Sequence, residues 1–274
     1  ADGFDPELPA IRQMRESGLT AIHLVNAPTN VIAGQTAWLR LGDTGASSVG
    51  HRQAAAEQWS LSAVARNEER YPATLVGQAA MVRNRLAGQL LETTLYLPES
   101  AVRKLLLQKV AVLDSVQSGT LPVFIDARTD AEIDAAIRLV TGTQVQAWLC
   151  APNQLRPFVK LLAENRVGVV VPATNEQTYG WYFADLVEAH RAGVRLLIGG
   201  QSGEALRVTV AALVNAGLDP AAGRRLLTMD TESTLAKSEN IGLTVGADAD
   251  WLVWSDDPVS LSSELLWHSS GEQP

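Results

Sequence analysis

One cysteine, Cys150, stands in a chain of 274 residues, and a single thiol excludes both an internal disulfide and a multi-thiolate metal site. Histidine is nearly as scarce: His23, His51, His190 and His268 lie far apart, and no H-x-H pair occurs. No apolar run approaches the ~20 residues that span a bilayer, so membrane insertion is not expected. The formal net charge is −8, with acidic and basic residues interspersed. Without a basic stripe to track phosphates, nucleic acid is not an expected partner. The opening Ala1-Asp-Gly-Phe-Asp-Pro-Glu7 has neither a basic n-region nor an apolar h-region, and no signal peptide is read there. The compartment stays open between the cytoplasm and a periplasm reached after signal cleavage.

What is present is core-forming material, 46% hydrophobic against 19% charged. That suits one large α/β domain, since such barrels routinely occupy ~250 residues. Pro6 to Ser17 reads as a short helix with Asp5 as N-cap and Gly18 as stop. Leu19-Thr-Ala-Ile-His-Leu-Val25 reads as a buried strand and Thr36–Leu41 as a half-buried one. Residues 51–118 then read as helical. Leu75, Ala79, Val82, Leu86 and Leu90 mark one helical face, and Ser100 to Val116 forms a second long helix.

From residue 121 strands and helices alternate. Leu121–Ile125, Val145–Leu149, Val167–Val171 and Val194–Ile198 are the apolar strand runs. Asp130–Val140, Asn153–Asn165, Tyr182–Arg191 and Gly203–Ala216 are the helices between and after them. A further helix starts at Asp219-Pro220, an N-cap and N1 pair. Such repeats require parallel strands, because each crossover helix returns the chain to the same edge. Periodicity does not separate a closed barrel from an open doubly wound sheet. The turn after Val25 carries no G-x-G-x-x-G, so a dinucleotide site is not expected there.

The tail Ile241-Gly-Leu-Thr-Val-Gly-Ala-Asp-Ala-Asp-Trp-Leu-Val-Trp-Ser-Asp-Asp-Pro258 resembles the C-terminal return of metal-dependent amidohydrolases. Weaker likenesses to the imidazolonepropionase-like members follow in that family's order. They are Gly18–Val25 with Ile32-Ala-Gly-Gln-Thr-Ala-Trp-Leu-Arg40, then Arg70-Tyr-Pro-Ala-Thr-Leu-Val-Gly-Gln-Ala-Ala-Met-Val-Arg83, Leu121–Ala127 and Leu218–Thr228. The resemblance implies an α/β fold of the (β/α)₈ TIM-barrel type, incomplete here. It covers residues 1–240 with a helical insertion over about 51–118, and residues 241–274 are a remnant of the small β-sandwich domain.

In that family one or two divalent metals, usually zinc, activate water. The ligands are an H-x-H pair on the first barrel strand, a Lys or Glu on the fourth, histidines on the fifth and sixth, and an Asp on the eighth. Here the fifth-strand position falls on Asp126 and the sixth on Cys150. The eighth falls in Ile198-Gly-Gly-Gln201, which has no carboxylate. The resemblance therefore implies zinc in active relatives and no metal ligands or catalytic residues in this chain. Asp126-Ala-Arg128 stands at a barrel rim, where an Asp–Arg pair either holds a ligand or replaces lost metal charge with a salt bridge. Asn153, Asn175, Gln201 and Glu204 are expected around the same mouth, giving a polar pocket with Asp126, Arg128 and Cys150.

Plainer roles are expected for the remaining marked residues. His23 belongs in the core and His190 at a helix C-terminus, where a cation suits the dipole. His51 and His268 are solvated, and Cys150 is a small buried residue. Trp251 and Trp254 pack in the sandwich strand, and Trp181 walls the barrel mouth or a subunit contact. The expected function is that of an amidohydrolase-like pseudoenzyme, a non-catalytic subunit or domain working as a homodimer or beside an active amidohydrolase. Two alternatives stay open: a hydrolase of cyclic amides or dipeptides whose H-x-H strand lies upstream or on a partner, and a binder of a small polar ligand.

Overall fold

A computed structural model describes residues 5, 8–41, 53–67, 69, 71–88, 110–173, 180–235, 245 and 250–270. The apolar runs form one seven-stranded sheet, β1 to β7 in spatial as well as chain order. These are Ala21–Leu24, Ile32–Arg40, Gln53–Ser60, Val123–Asp126, Ala147–Cys150, Gly168–Pro172 and Leu196–Gly199. From β3 to β7 every neighbour is parallel, while β1–β2 and β2–β3 are antiparallel. The two antiparallel steps need only turns, and the parallel ones need crossovers.

Helix α1 (Pro9–Glu16) precedes the sheet, and α2 (Leu75–Leu86) follows β3. Then come α3 (Asp130–Val140), α4 (Val159–Glu164), α5 (Gly180–Arg191), α6 (Gly203–Asn215), α7 (Pro220–Leu227) and α8 (Met229–Leu235). Asp219 caps α7 by accepting from the Ala222 N–H at 3.0 Å, with Pro220 next, as the sequence predicts. A helical stretch through 110–117 carries the end of the second predicted long helix, whose first part lies outside the described residues.

One segment departs from its sequence reading. Gln53-Ala-Ala-Ala-Glu-Gln-Trp-Ser60 lies in the stretch read as helical, yet it forms β3. Alanine, glutamine and glutamate favour helices, so local propensity points the wrong way. Tertiary context overrides it: β3 is an interior strand where antiparallel pairing gives way to parallel, and Ala55, Ala56, Trp59 and Ser60 are fully buried.

The two sheet faces have different cores. Trp59, Val123, Ile125, Leu149, Val169 and Val171 pack under the helices in the large core. The opposite face carries a smaller cluster of Trp38, Phe124, Trp148, Leu197 and Leu235, with Ala21 against it. Because Ala21 of β1 and Leu197 of β7 share this cluster, the sheet curls until its two edges approach Leu235 of α8. Gly203 N–H donating to Ser17 Oγ at 2.9 Å and Arg40 pairing with Glu232 at 3.7 Å span the same gap. The result is a curled, mostly parallel α/β sheet of half-barrel form.

His23 projects onto this inner face, 5.0 Å from the Phe124 ring. Its Nε2 lies 2.6 Å from Thr36 Oγ1, a hydroxyl that also stands within hydrogen-bond distance of the Ala56 carbonyl at 3.2 Å. Burial pushes the His23 pKa down to about 4 from 6.5. A base whose folded pKa lies below its unfolded one contributes stability above pH 6.5 and loses it as pH falls towards 4. The full term is about 3 kcal/mol. His23→Leu is expected to flatten unfolding free energy against pH between 7 and 4, relative to the wild type. Superimposable profiles would refute the assignment.

Two further strands, β8 (Asp250–Trp254) and β9 (Leu265–Ser270), form a separate antiparallel pair. Its inner side chains Leu252 and Leu265 lie so close to Gly18 that an added Cβ would stand 3.1 Å from Leu265. Arg207 of α6 ties the connecting loop down through the Pro258, Ser260 and Ser263 carbonyls at 2.7–2.9 Å, and its guanidinium stacks 4.2 Å over Trp254. Trp254 thus packs inward as expected. Trp251 faces the other way, half exposed against Trp267. No helix among the described residues is long and apolar enough to cross a membrane.

Candidate functional site

The C-terminal ends of parallel strands gather side chains from sequence-distant segments, and here Asp126 ends β4 directly beside Cys150 ending β5. On the other side Asp126 is in register with Ser60 of β3, whose hydroxyl lies 3.0 Å from that of Ser62. Two residues beyond Asp126 the chain turns, and Arg128 folds back over its carboxylate. Nε meets Oδ1 at 3.1 Å and Nη2 meets Oδ2 at 3.3 Å, a two-point fork. The carboxylate is buried, whereas the arginine side chain is half exposed. Hydrogen bonding to Asp126, then its charge, raises the Arg128 pKa further.

Cys150 keeps some surface, but its surroundings push the thiol up to about 12. Desolvation is the main cause. The neighbouring Asp126 charge adds to it, and Arg128 opposes it. A thiol held protonated is a poor nucleophile at neutral pH. After it, Ala151 takes a left-handed φ of 50°, a conformation uncommon without glycine. The sharp turn brings the Asn153 N–H to the Arg128 carbonyl at 2.9 Å. Asp126, Arg128, Cys150 and the Asn153 backbone therefore form one group.

The other expected pocket residues do not join it. Gln201 and Glu204 are exposed, on the loop after β7 and the first turn of α6. Among the described residues no hydrogen bond or ion pair links them to the Asp126 group. Asn175 and His51 lie outside the described residues, as does the tail through Ala249 apart from Val245. His190 sits in the last turn of α5, with a buried Nδ1 that has no hydrogen-bond partner.

A second set of polar residues braces the rim, and the sequence reading does not single it out. Glu132 in the first turn of α3 is buried and accepts the Arg128 and Thr129 N–H groups through Oε2, at 3.0 and 3.1 Å. Its Oε1 receives Arg66 Nη2 at 2.6 Å. Arg66 also donates to the Leu61 carbonyl and, through Nε, to Gln78 Oε1. Gln78, fully buried on α2, returns an N–H to the Ser62 carbonyl. Thr129-x-x-Glu132 is a readable capping-box signal. The long-range Arg66 contact leaves no trace in sequence spacing.

The metal implied by the resemblance requires deprotonated donors converging on one point. Both Asp126 oxygens are engaged by Arg128, which leaves Cys150 on the adjacent strand end as a lone donor. Among the described residues no three His, Cys, Asp or Glu side chains are grouped to hold an ion. This donor set does not fit zinc.

No family model matches the chain, and no curated protein matches it in sequence. In structure it is similar to an amidohydrolase from Thermotoga maritima MSB8, with a TM-score of 0.77 over 98% of this chain and 75% of that one. The fold is shared. At 19% identity the likeness reaches the architecture and not the chemistry. The curled sheet and its parallel strands β3 to β7 are thus an α/β architecture shared with that structure.

Proposed function

We propose that this chain is an amidohydrolase-fold protein without metal-dependent hydrolysis, acting as a non-catalytic subunit or domain. The observation that carries this reading is the forked Asp126–Arg128 ion pair, with a protonated Cys150 alongside. At a strand end where an active relative would present donors to a cation, this chain supplies its own. A guanidinium against the carboxylate provides fixed positive charge without an exchangeable water to activate. The β8–β9 pair, read as the sandwich remnant, adds an exposed apolar side at Trp251 and Trp267 that supports association with a second copy or an active partner.

The test is metal content. Purified full-length chain is incubated with one equivalent of zinc, dialysed and measured by plasma mass spectrometry, with melting recorded before and after chelation. The expected result is far less than one zinc per chain and an unchanged melting temperature. About one zinc per chain, with a melting temperature that falls on chelation, would overturn the proposal.

A further inference from the structure

Beside the Asp126 group, the start of α3, the loop after β5 and the start of α5 border an open cleft of about 500 Å³. Thr129, Asp130, Ala131, Asn153, Gln154 and Trp181 line it. That volume lies within the range of about 300–1,000 Å³ typical of small-molecule sites. We propose that this cleft binds a neutral saccharide, with one pyranose ring stacked on Trp181 and its hydroxyls held by Asn153, Gln154 and Asp130.

Three features of the lining select this class of ligand. Trp181 presents a large flat ring that is 53% exposed. Its ring meets Tyr182 edge-on at 6.0 Å and 89°, and Tyr182 is anchored through its hydroxyl to the Pro152 carbonyl at 3.0 Å. The platform is therefore braced before any ligand arrives, which lowers the entropy lost on binding. An aromatic face carries negative quadrupole charge, and the axial C–H groups of a pyranose present a flat, weakly positive face to it.

The polar side chains are planar and of mixed character. Gln154 donates its amide to Asp130 Oδ1, which fixes both side chains and leaves the Gln154 carbonyl and the second Asp130 oxygen as acceptors. The Asn153 backbone is held by the Arg128 carbonyl, while its exposed side-chain amide offers both a donor and an acceptor. Adjacent hydroxyls on a sugar ring are paired donors and acceptors with matching spacing. No lysine, arginine or histidine lines the cleft, which disfavours an anionic ligand. The carboxylate and the indole would also accept an ammonium ion, so the experiment includes one.

Full-length protein is titrated with cellobiose, maltose and diacetylchitobiose, and separately with tetramethylammonium chloride, by saturation-transfer NMR and calorimetry. At least one sugar is expected to bind with a Kd on the order of 1 mM. Trp181→Ala is expected to weaken it by about tenfold, and Trp181→Phe by much less. Asn153→Ala, an exposed truncation that leaves the fold's melting temperature unchanged, should weaken the same sugar. Silence of all three sugars overturns the proposal, as does tetramethylammonium binding without sugar binding. Sugar binding that survives both Trp181→Ala and Asn153→Ala overturns it as well. None of these outcomes depends on the metal content that tests the preceding reading.

Discussion

Gly168→Ala is expected to destabilise the protein by about 3 kcal/mol, although it adds a single methyl group inside a strand. A Cβ at this position would stand 2.3 Å from Cε3 and 2.4 Å from Cζ3 of Trp148, on the adjacent strand. Such separations fall far inside van der Waals contact, so the indole would have to move. It has little freedom to do so. Trp148 is 1% exposed, stacked beside Phe124 at 6.3 Å and covered from below by the Arg195 guanidinium at 4.6 Å. Close-packed interiors transmit such strain instead of absorbing it. Chemical unfolding should show the loss as a lower midpoint with an unchanged slope. The decisive comparison is a double-mutant cycle with Trp148→Leu, which removes the ring atoms that clash. In that background Gly168→Ala should cost well under 1 kcal/mol. An equal cost in both backgrounds would show that the glycine matters for some reason other than room for the indole.

Much of this architecture is legible from residue order alone, and the places where it is not share a physical cause. Val123–Asp126, Ala147–Cys150, Gly168–Pro172 and Leu196–Gly199 read correctly because strands buried on both faces are continuous apolar runs. Asp130–Val140 matches its predicted bounds, since Thr129 and Glu132 advertise the cap. By contrast β3 is invisible to propensity, because its identity as a strand comes from Val123–Asp126 on one side and β2 on the other. The predicted helix from Asn153 to Asn165 becomes a 3₁₀ turn at Arg156–Phe158 followed by Val159–Glu164. Pro157 lacks the N–H that a continuous helix would use there.

The candidate site divides along the same line. Asp126, Arg128 and Cys150 come together because each lies at or just past the end of a predicted strand, where register follows from topology. Gln201 and Glu204 were placed at the same mouth on barrel symmetry. That symmetry does not hold to the level of side-chain contact, since β1 to β3 run antiparallel and the loop after β7 and the first turn of α6 present Gln201 and Glu204 to solvent. Trp181, expected at the barrel mouth or at a subunit contact, lines the cleft bordered by the start of α3, the loop after β5 and the start of α5.

The Arg66–Glu132 pair shows what such an unreadable contact is worth. Arg66→Ala is expected to cost about 3–5 kcal/mol, the range for leaving one member of a buried ion pair unpartnered. The Glu132 side chain is 4% exposed, and without Arg66 only two backbone N–H groups would face its charge. The loss would extend to Gln78 and the Leu61 carbonyl, which share the same guanidinium. Arg66→Lys should recover little, because one ammonium cannot reproduce a planar fork divided among three acceptors. Replacing both partners, Arg66→Met with Glu132→Gln, should be milder than Arg66→Ala alone, since no buried charge then remains. The effect should also reach the rim. Glu132 holds the Arg128 and Thr129 backbone in place, so its loss should free Arg128 from Asp126 and expose Cys150 to alkylation. Iodoacetamide labelling of Cys150 would then rise in Arg66→Ala under native conditions, at denaturant concentrations below the unfolding transition. Labelling that stays at the wild-type rate until global unfolding would show that the network stabilises the fold without positioning the site.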